Sequence, residues 1–278
     1  MKTSIAIERQ GPLGLITLNR PERHNAFDDA LIAELTDAFR SMEAEDGIRA
    51  VVLSSAGRSF SSGADLNWMR RVAGASQEEN KRDAMALAAL MRTLSELKKP
   101  TVARVQGPAY GGGVGLVACC DIAVATMNST FALSEARLGL IPAVISPYVV
   151  AAIGPRMARR YFLTAEKIDA ADAWRIGLIH ELAQDEADLD EKVGSIVDAL
   201  FACGPAAQAE CKALIRAVAS RPVTSELIQD TADRIARVRS SPEGMEGVTA
   251  FLEKRRAAFL PPEPESQPDA EGDPEPGA

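Results

Sequence analysis

Three short stretches of this chain combine residue types that chemistry can use. The first is Gly111-Gly112-Gly113. Consecutive glycines cost backbone entropy, so a fold that keeps them puts their freedom to use. Either the backbone approaches a ligand, or a helix packs closely on a sheet. A helix beginning here turns unpaired N–H groups and a positive dipole end outward, in outline an anion or oxyanion site. The second stretch is Phe60-Ser61-Ser62-Gly63-Ala64-Asp65-Leu66. Gly63 permits a backbone angle that aims the next N–H into a pocket. The same letters also read as a Ser/Gly turn before a helix capped by Asp65. The third is Glu135, between Phe131-Ala132-Leu133 and Ala136-Arg137-Leu138. A carboxylate in apolar surroundings titrates high and suits general acid–base work near neutral pH. A solvated side chain, or an ion pair with Arg137, is the plainer alternative.

Other chemistries lack support. Gly113-Val114-Gly115-Leu116-Val117-Ala118 fits the letters of a dinucleotide fingerprint, with Glu135 an acid 20 residues past Gly115. However, a turn separates these glycines from the preceding strand, and Glu135 lies beyond the next one, so a nucleotide site is not expected. No nucleophile elbow, P-loop or metal motif occurs. His24 stands in a polar loop and reads as a surface residue, while His180 reads as a satisfied strand residue. Cys119, Cys120, Cys203 and Cys211 match no zinc spacing and read as buried small apolar residues in a reducing compartment. No metal is expected. The opening run to Ile7 is broken by Glu8-Arg9, and the run Val114 to Cys120 stops at Asp121. Neither suits a signal peptide or a membrane span, so a cytoplasmic location is expected.

The elements that must position these residues follow from periodicity. Residues 4–8 and 13–19 alternate as a hairpin around Gly11-Pro12. Asn25 is placed to cap a helix with the stripe Phe27, Leu31, Leu35, Ala38 and Met42, ending at Gly47. Arg49 to Ser55 reads as a buried strand, and a polar loop is expected from Ala56 to about Gln77. A helix over 78–98 and a strand over Thr101 to Gln106 come next, then a turn at 107–110 and a small-residue helix to Cys120. Strands follow at 121–126 and 131–133. This alternation indicates βαβ units and an α/β core. Beyond Ala143 the chain turns helical, with helices expected at 147–153, 156–163, 170–176, 186–202, 205–219, 225–239 and 242–257, and a brief strand at 178–183. From Pro261 onward, six prolines and six acids among 18 residues forbid a packed element. Those acids account for most of the net charge of −8. The rest of the chain is nearly neutral and offers nucleic acid no basic footprint.

Taken in order, the motifs Asn19-Arg20-Pro21 … Asn25-Ala26-Phe27, Phe60 to Leu66, Gly107 … Gly111-Gly112-Gly113, Cys120-Asp121-Ile122 and Ser134-Glu135 … Gly139-Leu140-Ile141-Pro142 resemble the enoyl-CoA hydratase/isomerase (crotonase) family over residues 4–258. The resemblance implies an α/β crotonase-like spiral of repeated ββα units: residues 1–204 as the core, a helical C-terminal oligomerisation region at 205–260, and an acidic Pro-rich tail at 261–278. It implies a homotrimer or a hexamer of two trimers. The substrate would be an acyl-CoA thioester, coenzyme A being part of the substrate and no separate cofactor being needed. By position, the N–H groups of Ala64 and Gly112 would form an oxyanion hole. Arg23, Ala64, Asp65, Leu66, Asn67 and Gly112 would contact the substrate, and Glu135 would be the acid/base. Two-carboxylate hydratases of the family carry another Glu shortly after the triple glycine, where this chain has Gly115. Glu135 would then act as the principal acid/base, in a hydration or in a Δ3,Δ2-isomerisation, unless the chain only binds acyl-CoA. Ser62 to Met69, Leu133 to Pro147 and Phe251 to Arg256 look like bacterial hydratases of methylglutaconyl- and isohexenylglutaconyl-CoA, from leucine and acyclic-terpene breakdown. Ala143-Val144-Ile145-Ser146-Pro147 replaces a Gly-rich segment often found there, which is expected to reshape the acyl pocket.

Overall fold

A computed structural model of the chain describes residues 3–262. The strands are β1 (Ile5–Gln10), β2 (Leu13–Leu18), β3 (Ala50–Ser55), β4 (Thr101–Val105), β5 (Ala109–Tyr110), β6 (Ile122–Thr126), β7 (Thr130–Ala132), β8 (Lys167–Asp169) and β9 (Glu181–Ala183). The helices are α1 (Asp29–Ala44), α2 (Leu66–Ala73), α3 (Gln77–Glu96), α4 (Gly112–Cys119), α5 (Ser146–Thr164), α6 (Ala170–Arg175), α7 (Glu186–Phe201), α8 (Pro205–Val218), α9 (Ser225–Arg239) and α10 (Pro242–Leu252). Short 3-10 turns occupy Pro21–Arg23 and Ser134–Leu138.

The main sheet runs β1-β2-β3-β4-β6-β9, antiparallel only at the β1–β2 hairpin. Strand alternation sends Val51 and Leu53 into one core, with Leu35 and Phe39 of α1 and Leu90 and Leu94 of α3. It sends Val52, Val102 and Val124 to the opposite face, against Leu189, Val193 and Val197 of α7. Both faces are covered, which is why the parallel strands read as apolar runs. A second, three-stranded sheet runs β5-β7-β8. This mixed architecture, followed by three C-terminal helices, has the α/β core and helical C-terminal region that were expected. The C-terminal helices are tied back by polar contacts. Buried Lys212 of α8 meets Asp121 at the end of α4 and donates to Lys99 O at 3.0 Å. Arg49 donates to Phe259 O at 3.1 Å and to Cys203 O. Glu243 of α10 accepts the N–H groups of Ala206 and Ala207, capping α8.

Several expectations need correction. Asn25 does not cap α1; Asp28 does, accepting from Leu31 N at 3.0 Å. Phe27 leaves the helical stripe because its backbone bridges to Ala64. The expected loop at 56–77 contains α2, which Asp65 caps. The turn at 109–110 is strand β5, and β8 went unread. The two helices expected around Gly154-Pro155 are present and meet across a kink within α5, where Gly154 is non-helical at φ 72°. The strand at 178–183 shortens to β9, and the last helix ends at Leu252. Cys119 and Cys120 are buried, and desolvation pushes both thiols up, whereas Cys203 and Cys211 are exposed. His180 is exposed and flanks the sheet, exchanging hydrogen bonds with Ala123. His24 is half-buried, with Nδ1 3.0 Å from Ser59 Oγ. The acidic stretch lies outside the described residues beyond Pro262. No helix among the described residues is long and apolar enough to cross a membrane.

Candidate active site

The loop before α2 is built on Asn25, which is fully buried. Its Nδ2 donates to Ala56 O and Ser59 O, both at 2.9 Å, and its Oδ1 accepts Arg20 N at 2.8 Å. Its carbonyl accepts Ser61 Oγ at 2.8 Å. With φ at 53°, Asn25 sits in the left-handed region that Asn tolerates better than most residues. Ser61 is also fully buried and joins this loop to the next, because its carbonyl accepts Tyr110 N at 2.8 Å and its N–H donates to Pro108 O at 3.1 Å.

This fastening orients Ala64. Phe27 N–H donates to Gly63 O at 2.7 Å, and Asp65 N–H donates to Phe27 O at 2.8 Å. Both bonds to Phe27 come from the residues flanking Ala64, so in this parallel bridge the N–H of Ala64 itself points the other way. Gly63 needs φ 86° to make the turn. A Cβ there would lie 3.1 Å from Tyr110 O and 3.8 Å from Gly111 Cα, so the two glycine loops touch. Gly112 opens α4, where an N–H has no partner within the helix. The Phe27 ring packs against it, and a Cβ at Gly112 would be 3.3 Å from Cε2.

Glu135 lies over this junction. A Cβ on Gly111 would be 3.3 Å from Glu135 Oε1. Glu135 is half-buried in the 3-10 turn, and its Oε2 is buried with no hydrogen-bond partner among the described residues. Desolvation raises its carboxyl above the ordinary 4.5 against the hydrogen bond from its own N–H. Arg137, the alternative partner, does not reach this buried oxygen. The structure thus brings together a turned-out N–H at Ala64, a helix-terminal N–H at Gly112 and a proton-binding carboxylate. Such a set can stabilise an oxyanion and move a proton beside it.

The remaining predicted residues border this junction. Asp65 is buried, accepts Asn67 N at 2.8 Å and Trp68 N at 3.2 Å, and sits 3.4 Å from Arg23 Nη1. Burial pushes its carboxyl up, but those N–H groups, with Arg23 and Arg20, hold it lowered overall. Its oxygens are therefore engaged in positioning. Leu66 is 69% exposed, Asn67 is exposed beside Arg70, and the Arg23 guanidinium is half-exposed. Among the described residues no cluster of His, Cys, Asp and Glu is placed to hold a metal ion. Sequence reasoning missed the fastening role of Asn25, although Asn25 stood in the quoted motif. It named Gly115 and the Ala143 to Pro147 segment but missed that Ile145 packs against Gly115, 30 positions away.

The family model described as enoyl-CoA hydratase/isomerase matches residues 8–261. The chain belongs to this family. It is similar to the crystal structure of an enoyl-CoA hydratase from Shewanella pealeana, with 42% identity, a TM-score of 0.90, and coverage of 92% of this chain and 95% of that one. It is 30% identical to a crotonyl-CoA hydratase of Syntrophomonas wolfei over 267 residues, covering 92% of this chain and 98% of the relative. A 4-chlorobenzoyl coenzyme A dehalogenase of Arthrobacter is 31% identical over 252 residues, covering 90% of this chain and 91% of the relative.

Proposed function

We propose that the protein is an enoyl-CoA hydratase that adds water across the double bond of an α,β-unsaturated acyl-CoA. The observation that carries this is Glu135, whose unpaired Oε2 and raised carboxyl lie beside Gly111 at the mouth of α4. The thioester oxygen would accept the N–H groups of Ala64 and Gly112. Glu135 takes a proton from water as the water oxygen bonds to the β-carbon. The π pair moves to the α-carbon and the thioester oxygen as an enolate. The carboxylic acid then returns its proton to the α-carbon, so the net change is addition of H and OH. The reaction is redox-neutral, and coenzyme A enters as part of the substrate. Removing one donor from such a hole costs about 3 kcal/mol of transition-state stabilisation.

Arg23 would meet the charged end of coenzyme A, Asp65 would keep α2 and Arg23 in register, and Leu66 and Asn67 would face the thioester arm. Leu138, Leu140 and Ile141 are exposed close to Glu135 in sequence and offer an acyl group an apolar bed. The likeness of the Leu133 to Pro147 segment to hydratases of branched glutaconyl-CoAs supports 3-methylglutaconyl-CoA as the acyl group. The assembly would be a trimer or a pair of trimers, supported by the uncovered apolar side chains of α8–α10.

The test is incubation with 3-methylglutaconyl-CoA in oxygen-18 water, followed by mass spectrometry. A labelled hydrate of the thioester is expected. An unchanged thioester would remove the glutaconyl assignment. Double-bond migration in a 3-enoyl-CoA without label would replace hydration by isomerisation.

A further inference from the structure

Gly115 stands one turn beyond Gly111 on α4, and its N–H donates to Gly111 O at 3.2 Å. Gly111 faces the carboxylate of Glu135, and Gly115 faces hydrocarbon. A Cβ at position 115 would lie 2.3 Å from Ile145 Cγ2, 3.0 Å from Ile145 Cβ and 3.2 Å from Met91 Cε. The first distance is far inside contact, and both partners are buried, Ile145 at 3% and Met91 at 0% exposure. A side chain at 115 therefore has nowhere to go. Ile145 reaches this place because the chain leaves the Glu135 turn through Gly139, at φ 71°, and Leu140 N–H returns to Glu135 O at 3.0 Å. The segment then enters α5 with Ile145 as its N-terminal flanking residue.

We propose that Ile145 is the residue that makes this a one-carboxylate site. Its side chain fills the volume into which an acid at position 115 of α4 would project, one turn along the helix from the Gly111 that meets Glu135. With that volume taken up by buried hydrocarbon, an added water would have Glu135 as its acid/base among the described residues. This rests on the hydratase reading for its chemical consequence, while the packing claim stands independently. Gly115 and Ile145 then form a matched pair: no acid can be introduced at 115 unless Ile145 is cut back, and cutting Ile145 back opens room that only a side chain at 115 closes.

The test has two arms. A thermal-melting cycle compares Gly115→Ala, Ile145→Ala and the double variant. Each single change is expected to lower Tm by several degrees, and the double variant to lose clearly less than the sum, because the methyl added at 115 enters space vacated at 145. A wild-type Tm for Gly115→Ala, or strictly additive losses, overturns the proposal whether or not the hydratase reading holds. The second arm measures the pH dependence of turnover on an enoyl-CoA. Gly115→Glu alone is expected to fold poorly and to lose at least tenfold in rate. Gly115→Glu with Ile145→Gly is expected to recover Tm and to show a second ionisation, since two neighbouring carboxylates push their titrations apart. A recovered Tm with a single-ionisation profile means that the filled space does not adjoin the reacting atoms, and it overturns the catalytic part. A wild-type enzyme inert toward every enoyl-CoA ends the hydratase reading, while the melting cycle still decides the packing claim.

Discussion

At the scale of single residues, a half-buried carboxylate with one oxygen left without a partner is a cost to the fold whenever it is ionised. Glu135 is in that position, with desolvation holding its carboxyl above 4.5. Below the unfolded value both states are protonated and no penalty exists. As the pH rises through the raised folded value, the folded state surrenders its proton less readily than the unfolded state, and stability is lost. Glu135→Gln removes that penalty. It should therefore match the wild type in Tm near pH 4 and equal or exceed it at neutral pH. Its turnover should fall by about 10²- to 10⁴-fold, the usual worth of a positioned acid/base. A variant that melts many degrees lower would show instead that Glu135 holds the structure together. The same shift predicts the activity profile of the wild type. The base form is needed to take a proton from water, so kcat/KM should rise with pH through an acidic limb set above the ordinary carboxylate value. A limb at or below 4.5 would remove Glu135 from the base role.

At the scale of elements, α2 shows how a cap becomes part of a site. None of its residues is buried, so packing contributes little and its N-terminal anchor matters more than usual. Asp65 supplies that anchor and is itself the neighbour of Ala64. Asp65→Ala should cost about 1 kcal/mol as a lost cap. It should also lower kcat by on the order of ten- to a hundredfold, because the adjacent N–H loses its aim. Equal effects of this variant and an Asp29→Ala control, which removes only the Arg71 partner on α1, would reduce Asp65 to a stability residue. Burial raises the Asp65 carboxyl and its donors lower it by more, so its contribution is present above 3.8 and is lost as pH falls through the depressed folded value. Elements long enough to show a period were legible in the sequence: the β1–β2 hairpin, β3, β4, α3 and α9 lie where the apolar pattern placed them. Strands β5 and β8, of two and three residues, carry no period and exist because β7 pairs with both and Ser61 bridges to β5. The start of α1 was misread because Asn25 and Asp28 are both suitable caps, and the bridge from Phe27 to Ala64 decides between them. Within the site, Glu135 and the glycines were legible from residue type. The meeting of Gly115 with Ile145 was not, since a glycine says only that a side chain is missing and not what occupies the room.

At the scale of the molecule, α8, α9 and α10 are amphipathic but incompletely covered. Their buried residues are Lys212 on α8, Leu227 on α9 and Ala250 on α10. Meanwhile Ile215, Ile228, Met245, Val248, Phe251 and Leu252 are each more than half exposed. Polar contacts tie this region to the sheet: Lys212 with Asp121, and Arg49 with the Cys203 and Phe259 carbonyls that flank the three helices. Polar tethers set the orientation of these helices, but they do not remove their apolar area from water. At about 25 cal/mol per Å², several large side chains left uncovered amount to a few kcal/mol that self-association would recover. The chain should therefore migrate in solution as a multiple of its 29.6 kDa mass. Phe251, 81% exposed at the end of α10, is the natural probe. An aspartate there adds a charge that water accepts and an apolar interface does not. Phe251→Asp should shift the species measured by light scattering toward the single chain and lower Tm in a concentration-dependent way, since dissociation then precedes unfolding. A wild type that stays monomeric at tens of micromolar would show that these side chains remain in water. If instead the wild type associates and Phe251→Asp leaves the assembly intact, the interface lies on another face. The apolar side chains at Leu138, Leu140 and Ile141, next to Glu135, would then be the surface to substitute next.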